Sequence, residues 1–193
     1  MRARNRLHRL VATCGLGVVL AGCSTDAVAP AQSGTSRVSL ATATLVNSTV
    51  FTYDPSVGQS YSLAGGAHRI TFPSGAVCDP ALSTYGPTEW DKPCAPLVAP
   101  IAITATTYTD ELGHPYIDFQ PALRFVPGAE VVLYMKDKAA SENPTAVIKW
   151  CGPDGACVDE SAQSPAVVTR RDGNSGIVFR VIKHFSGYLI SAS

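Results

Sequence analysis

Ile101-Ala102-Ile103-Thr104-Ala105-Thr106-Thr107-Tyr108 is the stretch that decides the fold. Residues 101, 103 and 105 are apolar and share one face of an extended chain, whereas Thr104 and Thr106 lie on the other face together with Ala102. The side chains of a β-strand point to opposite faces with a period of two. The stretch therefore predicts a strand that buries one face in a hydrophobic core.

Short runs of the same type lie on both sides of this strand, separated by Gly, Pro, Asn and Asp. We predict strands at 50–53, 61–63, 68–72, 116–119, 123–126, 131–135, 147–150, 167–170, 177–182 and 188–191. No long window shows a helical apolar stripe, and the 14 prolines and 16 glycines suit tight turns. The fold class is therefore all-β, as an antiparallel β-sandwich.

The first residues form a basic and then apolar leader. Arg2, Arg4, Arg6 and Arg9 precede an apolar run at 10–20 that contains no charge. This order is typical of a secretory signal peptide. As a helix of roughly 1.5 Å per residue, the run is too short to cross a hydrocarbon layer of roughly 30 Å.

The leader ends in Leu20-Ala21-Gly22-Cys23, which resembles the lipobox of bacterial lipoproteins. The resemblance implies that Cys23 becomes the first mature residue and carries two or three acyl chains, enough for stable anchoring. We divide the chain into a signal peptide (1–22), a lipidated cysteine with a flexible tether (23–48) and one sandwich domain (49–193). Ser24 favours the outer membrane if the host has one, so the predicted location is the cell envelope, facing the periplasm or the exterior.

Charge argues against nucleic acid as a partner. The chain has 15 basic and 15 acidic residues, and removing the four leader arginines leaves 11 against 15, or a net charge near −4. No basic run interleaved with aromatic residues is present. The predicted partners are the membrane, through the lipid on Cys23, and an unidentified envelope protein or glycan.

Four cysteines follow the lipobox: Cys78, Cys94, Cys151 and Cys157. An even number in an oxidising compartment predicts disulfides. Proximity favours the pairs Cys78–Cys94 and Cys151–Cys157, although three connectivities are possible. Neither spacing is that of a zinc knuckle, and we predict neither a metal nor a cofactor.

Three segments together resemble the ZU-five domain, a β-sandwich of scaffolding and receptor proteins. They are Gly65-Gly66-Ala67-His68-Arg69-Ile70-Thr71-Phe72-Pro73-Ser74-Gly75-Ala76-Val77, then Phe119-Gln120-Pro121-Ala122-Leu123-Arg124-Phe125 with Val131-Val132-Leu133, and finally His184-Phe185-Ser186-Gly187-Tyr188. The resemblance covers the chain from about residue 65. It implies a binding or scaffolding sandwich without enzymatic activity.

The same resemblance offers a self-cleaving alternative at His184-Phe185-Ser186. There, His184 would act as the base, Phe185 would supply the carbonyl and Ser186 would be the nucleophile, which requires a strained peptide and a base within reach. In the other interpretation, Phe185 fills the core and Tyr188 anchors a final strand.

The loop between Cys78 and Cys94 offers a third function. Tyr85 and Trp90, with the acids at 89 and 91, could stack on sugar rings and bind their hydroxyls, which would make a carbohydrate-binding domain. The competing interpretation is a disulfide-bounded loop whose Trp90 covers the edge of the sandwich.

Overall fold

The computed structural model describes residues 36–37 and 42–191. Within them, the strands are β1 (Ser36–Arg37), β2 (Thr44–Tyr53), β3 (Gln59–Leu63), β4 (His68–Phe72), β5 (Ile101–Thr109), β6 (Pro115–Gln120), β7 (Val131–Lys136), β8 (Val147–Cys151), β9 (Ala156–Val158), β10 (Arg170–Asp172), β11 (Ile177–Ile182) and β12 (Gly187–Ser191). A short helix, α1 (Lys138–Glu142), follows β7, and 3₁₀ turns lie at Ala64–Gly66, Glu160–Ala162 and Pro165–Val167.

The strands form two antiparallel sheets that enclose one main core. The seven-stranded sheet has the order β1-β9-β8-β12-β6-β5-β2, and the five-stranded sheet has the order β10-β11-β7-β4-β3. Burial alternates along β5 as predicted: Ile103 and Ala105 are buried, whereas Thr104 and Thr106 are only partly buried. The predicted antiparallel β-sandwich is confirmed.

Both predicted disulfides are also confirmed. Cys78 is bonded to Cys94 with their Cα atoms 5.7 Å apart, and Cys151 to Cys157 at 4.0 Å. Cys151 and Cys157 are direct cross-strand partners in the β8–β9 hairpin. The second disulfide therefore closes the mouth of that hairpin, and the first bounds a long loop at one end of the sandwich.

Two predicted strands are wrong. Residues 123–126 form only isolated bridges, Val77↔Phe125 and Arg124↔His184, because the prolines at 121 and 127 remove the amide donors that a continuing ladder needs. The predicted strand 167–170 is replaced by the turn Pro165–Val167 and the strand β10, since proline at the first helical position favours a helical turn.

The first part of β2 and helix α1 were not predicted. β2 begins at Thr44, inside the segment predicted as tether, and pairs with β5 from Thr44↔Thr109 onward. Its first five residues are exposed, so they carry no apolar alternation that a sequence pattern could detect. Helix α1 spans five residues, too few to show a helical period, and it starts where the Asp137 side chain accepts a hydrogen bond from the Ala140 amide.

The central position of β12 places the segment before it. β12 lies between β6 and β8, and Gly187 is paired with both Asp118 and Cys151. The residues just before Gly187 therefore emerge at the end of the seven-stranded sheet, beside the loop bounded by Cys78 and Cys94. Cys23, the predicted lipidation site, and the predicted leader lie outside the described residues, and within those residues no helix is long and apolar enough to cross a membrane.

Candidate functional site

The loop between Cys78 and Cys94 is fixed to the end of the sandwich by a buried cation. Arg124 is almost completely buried, and its Nη1 donates hydrogen bonds to the carbonyl oxygens of Glu89 at 2.6 Å and Lys92 at 2.7 Å. Asp91 adds an ion pair to Lys183, with 2.6 Å between Nζ and Oδ1. These contacts hold the loop against the chain segment that precedes β12, so the aromatic side chains of the loop have defined positions.

Trp90 lies directly on His184. The two ring centroids are 3.6 Å apart and the planes are 18° from parallel. The edge of Trp150 meets the face of the Trp90 indole at a centroid distance of 4.9 Å, and Tyr85 contacts Trp90 edge-on. The structure thus brings Tyr85 and Trp90, predicted as one site, together with His184, predicted as another.

This contact changes the role available to Trp90. Only 7% of its side chain is exposed and one face is covered by His184, so it does not present an open platform for stacking on a sugar. Tyr85 remains 41% exposed. Trp90 covers the end of the sandwich, as in the alternative interpretation of the loop.

His184 belongs to a buried charge network that the sequence did not indicate. Its Nε2 lies 3.2 Å from Oε1 of Glu160, and the other carboxylate oxygen of Glu160 accepts a hydrogen bond from Arg180. Arg180 is 1% exposed and also donates to the carbonyl oxygen of Ile148 at 2.8 Å. Arg180 occupies an otherwise apolar strand and Glu160 a 3₁₀ turn, and no local pattern links them to His184.

The network fixes the protonation of its members. Burial lowers the pKa of His184 and outweighs the opposing effect of Glu160. Burial raises the pKa of Glu160, but the hydrogen bond from His184 and the charge of Arg180 outweigh it, and the net change is downward. At neutral pH, Glu160 is therefore ionised and His184 neutral. The hydrogen bond to Glu160 requires the proton on Nε2, which leaves Nδ1 as an acceptor.

Three hydroxyl groups surround that acceptor. The oxygens of Tyr85, Tyr188 and Ser186 lie 3.4, 3.5 and 3.5 Å from Nδ1 of His184. Tyr85 donates its proton to the carbonyl oxygen of Phe185, and Tyr188 donates to the carbonyl oxygen of His184 at 2.6 Å. Since each hydroxyl has one proton, Ser186 is the hydroxyl left to donate to Nδ1. Ser186 Oγ in turn accepts a hydrogen bond from Nε1 of Trp150 at 2.5 Å.

Phe185 is a core residue, as the non-catalytic interpretation predicted. Its ring is fully buried, stacks on Phe119 at a centroid distance of 4.5 Å and meets Phe72 and Phe125 edge-on. The side chain thus fixes the backbone between His184 and Ser186. The Phe185 carbonyl is held towards Tyr85 by this packing.

A cavity of about 710 Å³ opens beside Ser186. The disulfide-bounded loop, the outer face of β6 and the start of β12, and the β8–β9 hairpin enclose it. Its aromatic lining residues are Tyr85, Trp90, Tyr116 and Trp150, and its polar ones include Asp118, Gln120, Asp154 and Ser186. The chain has two tryptophans, and both line this cavity.

Gly187 shapes the floor of the cavity. A Cβ atom at this position would lie 2.0 Å from the hydroxyl oxygen of Tyr116 and 2.6 Å from two of its ring atoms. The hydroxyl end of the Tyr116 ring therefore lies against the strand at Gly187, in space that any larger residue would occupy. Burial and the neighbouring Asp118 raise the pKa of Tyr116, so its phenol stays protonated.

The described residues provide no obvious metal centre, since no three His, Cys, Asp or Glu side chains among them are grouped as ligands. Comparison of the chain with protein-family models, curated proteins and solved structures finds no match. Function is therefore inferred from the geometry of the site.

Proposed function

We propose that this chain is a lipid-anchored protein of the cell envelope whose β-sandwich is a non-enzymatic binding or scaffolding domain. The observation that carries the binding function is the cavity of about 710 Å³ at the end of the sandwich. Ligand sites typically enclose roughly 300–1,000 Å³, with apolar and aromatic walls and a few polar groups. The aromatic lining and the isolated Asp118, Gln120 and Ser186 match that description.

The anchor rests on the lipobox at Cys23. Two disulfides in the domain support an export route, because structural disulfides persist in oxidising compartments. The lipid would hold the domain at the outer membrane in a host that has one. An envelope protein or a glycan would then be within reach of the cavity.

Metabolic labelling tests the anchor. Cells expressing the full chain are grown with an alkynyl palmitate analogue, and the protein is captured and scored for the label. Label is expected on the wild type and on Cys14→Ala, a cysteine of the leader that serves as the matched control. Label should be absent from Cys23→Ala, and equal labelling of Cys23→Ala would refute the anchor.

Intrinsic fluorescence tests the cavity, because both tryptophans of the chain line it. The domain is titrated with methyl α-glucoside, N-acetylglucosamine and choline as probes of different chemistry. We expect at least one saturable change in emission. Absence of a saturable change with all three probes would contradict a small-molecule binding function.

Two matched variants show where the probe binds. Ala122 is exposed and lines the cavity, so Ala122→Phe fills its entrance without adding a tryptophan. Ala139, exposed on α1, gives the control Ala139→Phe. The fluorescence change should disappear in the first variant and persist in the second. A sugar response that behaves in this way would identify the carbohydrate-binding alternative.

Self-cleavage between Phe185 and Ser186 is the second candidate, supported by the neutral His184 whose free Nδ1 faces the Ser186 hydroxyl at 3.5 Å. His184 would take the proton of Ser186 Oγ as that oxygen attacks the Phe185 carbonyl carbon. Tyr85 already donates to the carbonyl oxygen on which negative charge would develop. His184 would return this proton to the amide nitrogen as the C–N bond breaks, which gives an ester on Ser186 Oγ and a free amine on Ser186. Water would then hydrolyse the ester to the Phe185 carboxylate and restore the Ser186 hydroxyl.

Backbone strain does not favour this reaction. Ala64 is the one non-glycine residue with a positive φ in the described part of the chain, and it lies far from Phe185 in sequence. Self-cleavage therefore ranks below binding.

Mass spectrometry under denaturing conditions tests self-cleavage. A cleaved fragment that begins at Ser186 would stay paired through β12 with β6 and β8, so a native measurement would miss it. A fragment starting at Ser186 that is absent from Ser186→Ala supports cleavage. A single uncleaved species after prolonged incubation refutes it.

A further inference from the structure

The cavity beside Ser186 is lined by acids and aromatic rings and by no base. Asp118 and Asp154 are its two ionisable carboxyl groups, and none of its lining residues is Lys, Arg or His. Four of them are aromatic. The face of an aromatic ring carries partial negative charge and attracts a cation placed within about 6 Å of its centre. The aromatic walls and the carboxylates thus both favour a positively charged ligand.

Asp118 is the stronger of the two acids as a ligand group. Its side chain is partly buried, and Gln120 donates a hydrogen bond to it at 3.3 Å. Burial raises the pKa of Asp118, and the groups that oppose this are the Gln120 side chain and the Phe119 backbone, not a basic side chain. An ionised Asp118 would therefore gain from a cation supplied by a ligand.

The missing side chain at Gly187 gives the Tyr116 ring its place next to Asp118. Asp118, Gly187 and Cys151 are consecutive partners across the outer face of the sheet, and the middle one has no side chain. Tyr116 lies over Gly187, so an aromatic ring borders the carboxylate. A cation beside Asp118 would also lie near this ring.

The indole N–H of Trp90 is buried away from the cavity surface. Trp90 is 7% exposed, and its indole N–H has no hydrogen-bond partner among the described residues. An indole nitrogen can donate but not accept. Trp90 therefore contributes its ring to the cavity wall and not its N–H group.

We propose that the cavity binds an alkylammonium compound, with the ammonium group between Asp118 and the aromatic walls. This assignment rests on the proposed binding function and names its ligand class. Such a group can belong to a free amino alcohol or to a lipid headgroup, and the chemistry that recognises it is the same.

Choline and 3,3-dimethyl-1-butanol form the matched probe pair. They have the same shape and the same hydroxyl, and they differ in the positive charge. A desolvated cation–π contact with a carboxylate nearby raises affinity by about tenfold or more. Choline should therefore bind at least about tenfold tighter than 3,3-dimethyl-1-butanol. Emission of Trp90 and Trp150 reports the binding, with sodium chloride added to equalise ionic strength.

Two variants locate the charge effect. Asp118→Asn keeps the shape and removes the charge, so choline affinity should fall towards that of the neutral alcohol, with the aromatic walls retaining part of the preference. Glu130→Gln is the control, because Glu130 is exposed and does not line this cavity. Its choline affinity should equal that of the wild type. Glycerophosphocholine distinguishes the source: tighter binding than choline indicates a headgroup, and weaker binding a free amino alcohol.

Each remaining outcome overturns the proposal. Equal affinity for choline and the neutral alcohol, or a choline affinity unchanged in Asp118→Asn, would exclude a cation site. If the sugars bind and choline does not, the binding function stands and the ligand class is wrong. If no probe binds, both the function and the ligand class are wrong.

Discussion

Acidification should destabilise the domain through His68, a buried residue of β4. His68 is 7% exposed, and its Nδ1 accepts a hydrogen bond from the Lys136 amide at 3.0 Å. Protonation of Nδ1 would turn it into a donor that faces the N–H donor of Lys136, and the hydrogen bond would be lost. Burial lowers the pKa of His68 from 6.5 to about 4, despite the opposing charge of Asp137.

The sign and size of the effect follow from this difference. Above pH 6.5 His68 is neutral in both states. Below it, the unfolded chain binds a proton that the folded chain does not, so the free energy of unfolding falls until the pH reaches the folded pKa. At about 1.4 kcal/mol per pKa unit, the loss from His68 is roughly 2 kcal/mol by pH 5 and roughly 3 kcal/mol by pH 4.

Urea denaturation at pH 7.5 and pH 5 measures this loss in the wild type and in His68→Asn. The asparagine oxygen can accept the Lys136 hydrogen bond and does not titrate in this range. Lowering the pH should cost the variant roughly 2 kcal/mol less than the wild type. The buried His184 also has a lowered pKa, but it acts in both proteins and cancels in the comparison. Equal losses in the two proteins would refute the reasoning.

Three further changes should lower the free energy of unfolding, as measured by denaturation at neutral pH. Gly187→Ala places a Cβ 2.0 Å from the Tyr116 hydroxyl and should cost about 1–3 kcal/mol, much of which Tyr116→Leu should restore in the double variant. Glu160→Gln leaves the charge of buried Arg180 without its carboxylate and should cost about 3–5 kcal/mol. Replacing both cysteines of Cys78–Cys94, which are 16 residues apart, should cost about 3 kcal/mol.

Controls separate these effects from general damage. Additive losses in the Gly187 and Tyr116 double variant would show that the two residues do not clash. Glu130 is exposed, so Glu130→Gln should leave the free energy of unfolding unchanged. If Glu130→Gln lost as much stability as Glu160→Gln, the loss in Glu160→Gln could not be assigned to the buried pair with Arg180. The Cys151–Cys157 disulfide closes a separation of 6 residues and should contribute about 2 kcal/mol; a larger loss than from Cys78–Cys94 would contradict the loop-length argument.

Much of the fold was predictable because its signals are local. Alternation at 101–108 and the paired apolar faces at 177–182 identified strands that the structure retains as β5 and β11. Pairing each cysteine with its nearest neighbour in the sequence predicted both disulfides. Only the end of β2 was predicted, at 50–53, because the first five residues of this strand are exposed and an exposed segment leaves no periodic trace.

The candidate site was predictable only in pieces. The sequence singled out Trp90 and His184 but assigned them to different functions, because they lie 94 positions apart and only the fold brings them together. Glu160 and Arg180 gave no signal at all. A basic residue within an apolar strand suggests a solvent-facing position, and the buried carboxylate that holds Arg180 comes from a separate turn.

The place of β12 in the sheet affects how the domain is assembled. β12 follows every other strand of its sheet in the chain, yet it lies in the middle and pairs with β6 on one side and β8 on the other. During synthesis, the two halves of that sheet therefore exist before the strand that joins them. A chain interrupted ahead of Gly187 would display two open β-edges, which are sites for aggregation or proteolysis, so incomplete copies would be distinguished from finished ones by their exposed backbone.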